Sequence, residues 1–179
     1  QLFFLVVILI AFCYSIEYNS EIPNKNSKNH HSILKWSRIT LSVIFIQLIF
    51  GALMRHMNAG LAIPDFPTIG WNWIPLINKD TLHRINDWRF DNDLQIITLF
   101  PIWVHFIHRF WAVVVSVAIF IFGHYYFRGN REYNLTMILL HIGIFFQIML
   151  GAFTIWSGKA PFITSIHVVN GAILLALSF

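Results

Sequence analysis

Apolar residues along the chain gather into five long blocks that are separated by polar links. The blocks are residues 1–16, about 38–54, 101–127, 135–156 and 162–179. A helix that crosses a bilayer needs roughly 20 residues at about 1.5 Å each. The middle three blocks therefore predict complete or nearly complete spans, and the first and last predict partial ones. The expected fold class is all-α, a polytopic transmembrane helix bundle.

Both ends of the chain lie inside apolar blocks, and Gln1 enters the first block without the basic residues of a signal peptide. We therefore expect a piece of a longer protein. Residues 1–16 would end the last helix of a preceding half, and residues 17–37 would form a cytoplasmic linker. Residues 38–179 would form a C-terminal four-helix half that is truncated at its end.

The composition agrees with a membrane protein. Hydrophobic residues make up 57% of the 179 residues and charged residues 11%, against about 25% charged residues in soluble domains. The net charge is +4, but the basic residues lie mostly between apolar blocks, so they indicate membrane orientation and no nucleic-acid partner. The single cysteine, Cys13, excludes an internal disulfide and a thiolate metal site.

The positions of Lys and Arg predict which links face the cytoplasm. Basic residues gather in two links. Residues 17–37 contain Lys25, Lys28 and Lys35, with Arg38 beside them, and residues 129–134 contain Arg131, with Arg128 beside it. By the positive-inside rule both links are cytoplasmic, so the long loop of residues 56–99 faces outward. Its tryptophans, Trp71, Trp73 and Trp88, suit an interfacial aromatic layer against membrane lipid. Pro and Gly at 64–75 mark turns, and residues 87–93 suggest a surface-lying amphipathic stretch.

A short segment occurs twice in the chain. Residues 47–52, Gln-Leu-Ile-Phe-Gly-Ala, recur as Gln-Ile-Met-Leu-Gly-Ala at 147–152. Each copy lies in a helix that runs outward, and the next helix carries a histidine near its outer end. The repetition predicts two helix pairs related by an axis along the membrane normal. The Gly-Ala pairs also have a simpler reading, because small residues let helices approach closely.

Ionisable residues inside membrane spans are candidates for function. His108 lies seven residues into its block, so about 10 Å deep, and His167 lies five residues into its block, so roughly 7 to 8 Å deep. Two imidazoles at nearly one level are what haem ligation between helices requires. A hydrogen-bonded interhelical histidine is the alternative for both, and we favour it for His141, which lies at the wrong depth.

Other polar residues near the outer side are weaker candidates. His105 lies one turn outward of His108 on the same face, where it could support or replace that ligand. Arg109 and Arg55 could pair with haem propionates or extend to the interface. His56 could face the same chamber. The remaining histidines are expected in loops or at the interface: His30, His31, His83 and His124.

Several of these residues together resemble one family. Residues 51–67, which read GALMRHMNAGLAIPDFP, are similar to the segment that leads into the outer loop of haem A synthases, the cytochrome oxidase assembly family. The run His105-Phe-Ile-His108-Arg109 resembles that family's His-Arg helix. Residues 147–151, 157–160 and His167 resemble its next two helices, so the likeness covers roughly residues 47–179.

The resemblance implies eight transmembrane helices in two related halves, each of which offers two histidines to a haem. The full-length protein would be an oxidoreductase that converts the methyl group of its substrate haem O to the formyl of haem A for terminal oxidase assembly. This half would bind the iron of haem b for electron transfer through His108 and His167, with Arg109, Arg55 and His105 nearby. The implied partners are lipid, haem O synthase, terminal oxidase assembly factors and an electron donor, in a bacterial inner membrane.

The sequence departs from the family's first half at two places. His105 stands where the first half has a glutamate linked to catalysis, and Ile63 and Ile69 stand where it has an outer-loop cysteine pair. Both departures fit the second half, so catalytic residues are expected outside this chain. We expect Asp65 to hold the loop turn and not to contact haem.

Three alternatives to the second half of a haem A synthase remain at this point. A b-type cytochrome subunit without synthase activity would share the histidine pair but would not need the turn at residues 60–67. A transporter with a histidine proton relay would need acidic residues within the spans, which contain none. The first half of a variant synthase is disfavoured by the apolar segment before Arg38.

Overall fold

The computed structural model describes residues 30–74, 76–129 and 135–178, and these residues form helices and connecting loops without a β-strand. In order, the helices are α1 (His30–His56), α2 (Lys79–Asp91), α3 (Leu99–Gly129), α4 (Leu135–Trp156) and α5 (Pro161–Leu177), with a single 3₁₀ turn at Ala59–Leu61. The predicted all-α fold is therefore confirmed. The first apolar block, Cys13 and Arg131 lie outside the described residues.

Three of these helices are long and apolar enough to cross a membrane. They correspond to His31–His56, Leu99–Arg128 and Leu135–Trp156, and α5 is a shorter apolar helix. Bulky apolar side chains on them stay exposed, as at Phe110 and Phe145, which are 57% and 68% exposed. Such side chains are stable against lipid but not against water. The chain is an integral, multi-pass membrane protein.

Two helices differ from their predicted bounds. Helix α1 begins at His30 and not at about residue 38, so residues 30–37 are helical. A helix satisfies its own backbone hydrogen bonds and can therefore continue past the edge of the bilayer. Helix α2 runs over Lys79–Asp91 where the sequence predicts a stretch at 87–93. It starts at Asn78, whose side chain accepts the Thr81 N–H at 3.0 Å, a typical N-cap.

The spanning helices pack as two pairs, α1 with α3 and α4 with α5. In the first pair Thr40 Oγ1 on α1 donates to the carbonyl of Ala118 on α3 at 3.3 Å. The pairs meet in a common core of Ile44, Val115, Ile119, Phe122, Met137, Leu140, Ile144, Leu174 and Leu175. At one end Ser37 Oγ donates to the carbonyl of Ser178 at 3.4 Å, which joins α1 to the end of α5. The predicted pairing is confirmed.

The opposite end of the bundle, which the charge distribution predicts to face outward, carries a folded cap. We call residues 57–74 and 76–98 the outer cap. It has its own buried core, which includes Ile63, Ile85 and Ile102 of α3. Arg89 of α2 is 7% exposed and donates to the carbonyls of Leu61 at 3.0 Å and Gln95 at 2.7 Å. Burial lowers the pKa of its guanidinium, and the two carbonyls offset part of that desolvation.

Candidate cofactor site

His108 on α3 faces a glutamine and a glycine on α1. The amide Nε2 of Gln47 lies 3.3 Å from Nδ1 of the imidazole and donates to the backbone carbonyl of His108 at 3.1 Å. A Cβ added to Gly51 would stand 3.4 Å from Cε1 of the same ring. The glutamine therefore contacts the imidazole, and the glycine lets the ring lie close to the backbone of α1.

His167 on α5 has the same surroundings on α4. The amide Nε2 of Gln147 lies 3.4 Å from Nε2 of the imidazole, and a Cβ added to Gly151 would stand 3.3 Å from its Cε1. The glutamine and glycine of the repeated segment thus meet a histidine twice. The repetition in the sequence is a repeated site and not only a repeated helix contact.

One further contact repeats in both pairs. Three residues after each histidine, a side-chain N–H donates to the backbone of the partner helix: Trp111 Nε1 to the carbonyl of Val43 at 2.9 Å, and Asn170 Nδ2 to that of Gly143 at 3.1 Å. Both acceptors lie four residues before the repeated glutamine. The two donors differ in residue type, so the sequence alone does not indicate this part of the repeat.

The two repeated sites adjoin each other inside the bundle. A Cβ added to Gly171 on α5 would stand 3.2 Å from the side chain of Leu48 and 3.3 Å from that of Gln147. Helices α1, α4 and α5 therefore meet one turn from His167.

Two buried side-chain polar atoms of the described residues have no hydrogen-bond partner, and both belong to this site. They are Oε1 of Gln47 and Nδ1 of His167. Folded proteins rarely leave such atoms unpaired, and a group bound in the site would give them partners. The described ranges contain no group of three or more His, Cys, Asp or Glu that could hold a metal ion. Two imidazoles from different helix pairs, one of them with an unpaired ring nitrogen, fit a haem held by two histidines.

His105 lies in a different contact. Its side chain is 2% exposed, its Nδ1 accepts the N–H of Ile63 at 3.1 Å, and its ring also hydrogen-bonds the backbone of Ala59. Both partners belong to the outer cap. His105 therefore fixes the cap to α3, and its expected place beside a haem stays a prediction.

Arg109 also binds the outer cap. Its Nη1 donates to the carbonyl of Asp65 at 3.0 Å, and its Nη2 to those of Pro67 at 3.3 Å and Thr68 at 3.2 Å. The guanidinium carbon lies 4.9 Å from the centroid of the Phe66 ring, a cation–π distance. The two sequence predictions for Arg109, pairing with haem propionates and extension to the membrane interface, did not include these backbone carbonyls.

Asp65 holds the turn that follows, as expected. Its carboxylate accepts the N–H groups of Gly70 and Trp71, both at 2.8 Å. Both residues have left-handed φ, +58° and +62°. Glycine is needed at 70, because a Cβ there would stand 2.7 Å from Cγ2 of Thr81. The turn therefore presents its backbone carbonyls to Arg109.

The remaining candidates lie away from the two repeated sites. Arg55 and His56 are exposed in the last turn of α1. His141 is hydrogen-bonded, but within its own helix and not between helices as favoured: its Nδ1 donates to the carbonyl of Met137 at 2.7 Å within α4. Its ring packs against Gly123 and Phe120 of α3. Exposed histidines among the described residues are His31, His83 and His124.

Comparison with known proteins decides the family. The model of the family described as cytochrome oxidase assembly protein matches residues 2–179. The chain belongs to this family. Curated relatives of the chain are named haem A synthase, in agreement with the resemblance carried by residues 47–179. No solved structure matches the chain.

Three curated relatives, each named haem A synthase, illustrate the similarity. The protein of Novosphingobium aromaticivorans is 32% identical over 141 residues, which cover 77% of this chain and 38% of the relative. That of Rickettsia canadensis is 27% identical over 145 residues, or 80% and 40%. That of Sphingopyxis alaskensis is 29% identical over 138 residues, or 77% and 36%. The chain spans about two-fifths of the length of these relatives.

Proposed function

We propose that this chain is the C-terminal half of a haem A synthase and that it binds a b-type haem between His108 and His167. The observation that carries the proposal is the repeated arrangement of glutamine, glycine and histidine, together with the unpaired ring nitrogen of His167. The family supplies the reaction, and the geometry of the described residues supports the ligands.

The residues of the chain would provide the ligands of the haem and hold them in place. His108 and His167 would each offer one imidazole from a different helix pair. Gly51 and Gly151 let the two rings lie close to the backbones of α1 and α4. Ligation by two histidines leaves no open position on the metal, so a haem bound here supplies one-electron chemistry.

The outer cap covers the outer end of α3. Arg109 and Arg55 lie toward that end and would provide positive charge for the haem propionates. Arg109 would provide this charge while its guanidinium donates to the cap backbone, and these hydrogen bonds fix the position of the side chain.

The complete protein would oxidise the methyl group of haem O to the formyl of haem A, with its catalytic residues outside this chain. In support, the family's glutamate position is taken by His105, which binds the cap backbone. The relatives come from bacteria, so we place the protein in a bacterial inner membrane. Lipid, haem O synthase, oxidase assembly factors and an electron donor would be its partners.

A reduced-minus-oxidised absorption spectrum of the purified chain tests the haem site. We expect a low-spin b-type spectrum that is lost in His108→Ala and in His167→Ala. His141→Ala is the matched control, because it removes a histidine from a span at a packing position, and it should keep the spectrum. A spectrum that survives in either ligand variant would contradict the assignment.

The synthase reaction needs a separate test. The complete coding sequence should restore haem A formation from haem O in cells that lack the activity, as measured by chromatography of extracted haems. Haem b binding without haem A formation would instead indicate a b-type electron-transfer subunit.

A further inference from the structure

One segment of the outer cap, residues 60–68, contacts both helix pairs. On the α3 side, Nη1 of Arg109 donates to the carbonyl of Asp65 at 3.0 Å. On the other side, the ring of Phe66 packs edge-on against that of Trp156, the last residue of α4, with ring centroids 6.2 Å apart. The segment therefore connects the outer end of α3 with the outer end of α4.

Lys159, in the link between α4 and α5, contacts the same segment. A Cβ added to Gly60 would stand 3.1 Å from both Cδ and Cε of the lysine and 3.5 Å from its Nζ. The glycine therefore lets the lysine side chain lie close to the backbone of the cap. That side chain is half-buried, and within the described ranges its ammonium group makes no hydrogen bond or ion pair.

The backbone of Lys159 is unusual for a lysine. Its φ is +67°, in the left-handed region that glycine adopts most easily. Its N–H donates to the carbonyl of Thr154 at 2.8 Å, a hydrogen bond that closes the end of α4 as glycine commonly does at helix ends. The chain thus has a charged side chain at a position where glycine would be less strained, and such positions cluster at functional sites.

We propose that Lys159 binds one of the two carboxylates of the haem, and that Arg109 binds the other from the α3 side. The inference rests on the proposed haem site. Each helix pair then supplies one histidine to the iron and one cation to a propionate, so the outer end of the site has a charged residue from each pair.

Positions along the helices support this assignment. His167 lies six residues after Pro161, the first residue of α5, so it lies about 9 Å from the outer end of that helix. Lys159 lies just beyond the same end, with its side chain against the cap. Arg109 directly follows His108, and its guanidinium also lies against the cap. A haem whose carboxylates point outward would therefore meet one cation from each helix pair.

The charges of the cap segment support a ligand with carboxylates. Asp65 is the single acidic residue in residues 57–74. Its two oxygens accept the N–H groups of Gly70 and Trp71 at 2.8 Å, and in the part of the chain that the structure describes it forms no ion pair with Lys159. Carboxylates are strong acceptors for ammonium and guanidinium groups, so a ligand that brings two of them would supply the missing negative charge.

The test compares binding of haem with binding of haem dimethyl ester, in which both carboxylates are esterified and carry no charge. Each is titrated into the full chain in nanodiscs, and the bis-histidine absorption spectrum reports binding. Lys159→Met keeps a side chain of similar length against Gly60 but removes the charge. It should weaken haem binding about tenfold, the lower end of the range for one hydrogen bond from a charged donor, and should leave binding of the ester unchanged.

Lys79→Met is the matched control, because it removes an exposed lysine at the start of α2. It should leave the binding of both compounds unchanged. A loss of haem binding in Lys79→Met as large as that in Lys159→Met would show a general effect of charge and would overturn the inference.

A second variant covers the case in which Lys159→Met fails to fold. Lys159→Gln keeps a polar end group without the charge, and it should also weaken binding of haem and not of the ester. Lys159→Arg keeps the charge and should bind haem as the unchanged chain does. Equal losses for haem and its ester in the neutral variants would show that the lysine only holds the cap, and would overturn the inference. Unchanged binding of both compounds would overturn it as well.

These outcomes are distinct from failure of the haem site. If the unchanged chain shows no bis-histidine spectrum, or keeps it in His108→Ala, the proposed function is wrong and the inference falls with it. If the spectrum depends on both histidines but haem and its ester respond alike to loss of the Lys159 charge, the proposed function stands and only the role of Lys159 is refuted.

Discussion

Arg109→Lys is the sharpest test of the contact between α3 and the outer cap. The substitution keeps the positive charge next to the proposed cofactor but replaces a planar fork of donors by a single ammonium nitrogen. The guanidinium reaches three backbone carbonyls, those of Asp65, Pro67 and Thr68. A lysine at this position can be expected to reach one of them.

The size of the effect follows from those bonds. A hydrogen bond from a charged donor contributes about 1.5 kcal/mol at the lower end of its range, which suits a group whose Nη2 contact with Pro67 is exposed. Loss of two such bonds removes about 3 kcal/mol from the closed cap. Since about 1.4 kcal/mol corresponds to a factor of ten, local opening should become about a hundredfold more frequent.

Hydrogen–deuterium exchange of the cap measures this opening. The amides of Gly70 and Trp71 are held by the Asp65 carboxylate in the closed turn, so their exchange rates report its opening. We expect both rates to rise by about two orders of magnitude in Arg109→Lys. Arg55→Lys is the matched control, because Arg55 is exposed in the last turn of α1, and it should leave both rates unchanged.

One result would refute this reasoning. If Arg109→Lys leaves the two amides protected while haem is lost from the chain, Arg109 serves the cofactor directly and the cap is held by other contacts. Loss of protection with haem retained would show the reverse, that the contact with the cap is the main role of the side chain.

Two further substitutions test packing and hydrogen bonding. Gly123→Ala should destabilise the chain by about 1 to 3 kcal/mol, although alanine favours helices by about 1 kcal/mol over glycine, because the new Cβ would overlap the ring of His141. Thermal unfolding in detergent measures the loss, and addition of His141→Ala should relieve it; equal losses in the single and double variants would contradict the overlap. His105→Leu should cost about 1 to 3 kcal/mol, since the buried Ile63 amide loses its acceptor. His105→Asn, with an oxygen near the place of Nδ1, should keep that amide protected from exchange, and equally fast exchange in both variants would argue against the bond.

The sequence predicts the spanning helices well where the bilayer itself defines them. Helix α4 is an apolar run between polar residues, and its predicted ends at 135 and 156 are those observed. Hydropathy identifies the part of a helix that lies in the membrane and not the whole helix, so it does not predict the polar start of α1 at His30. Helix α2 is missed in part because its buried face is formed by Thr81, Ile85 and Arg89, a spacing of four with only one strongly apolar member.

The candidate site is predictable in part for similar reasons. Depth along a helix predicts one level for His108 and His167, and the repeated segment predicts the pairing of their helices. Helices that are apolar on all sides give no signal for rotation about their axes, so the sequence does not show that Gln47 and Gln147 face the rings. The sequence also does not identify the partners of Arg109. These are backbone carbonyls, which every residue has, so the residue types do not indicate which of them accept.

The contacts of Trp111 and Asn170 have a consequence for how internal duplications are recognised. An indole and a carboxamide each donate an N–H to the equivalent carbonyl of the partner helix, so the two pairs differ in side chain and share the donor. A comparison that scores residue identity counts this position as a mismatch. Alignment of two halves by the location of their side-chain N–H donors would count this position as a match. It would detect internal symmetry in apolar bundles whose two halves share few identical residues.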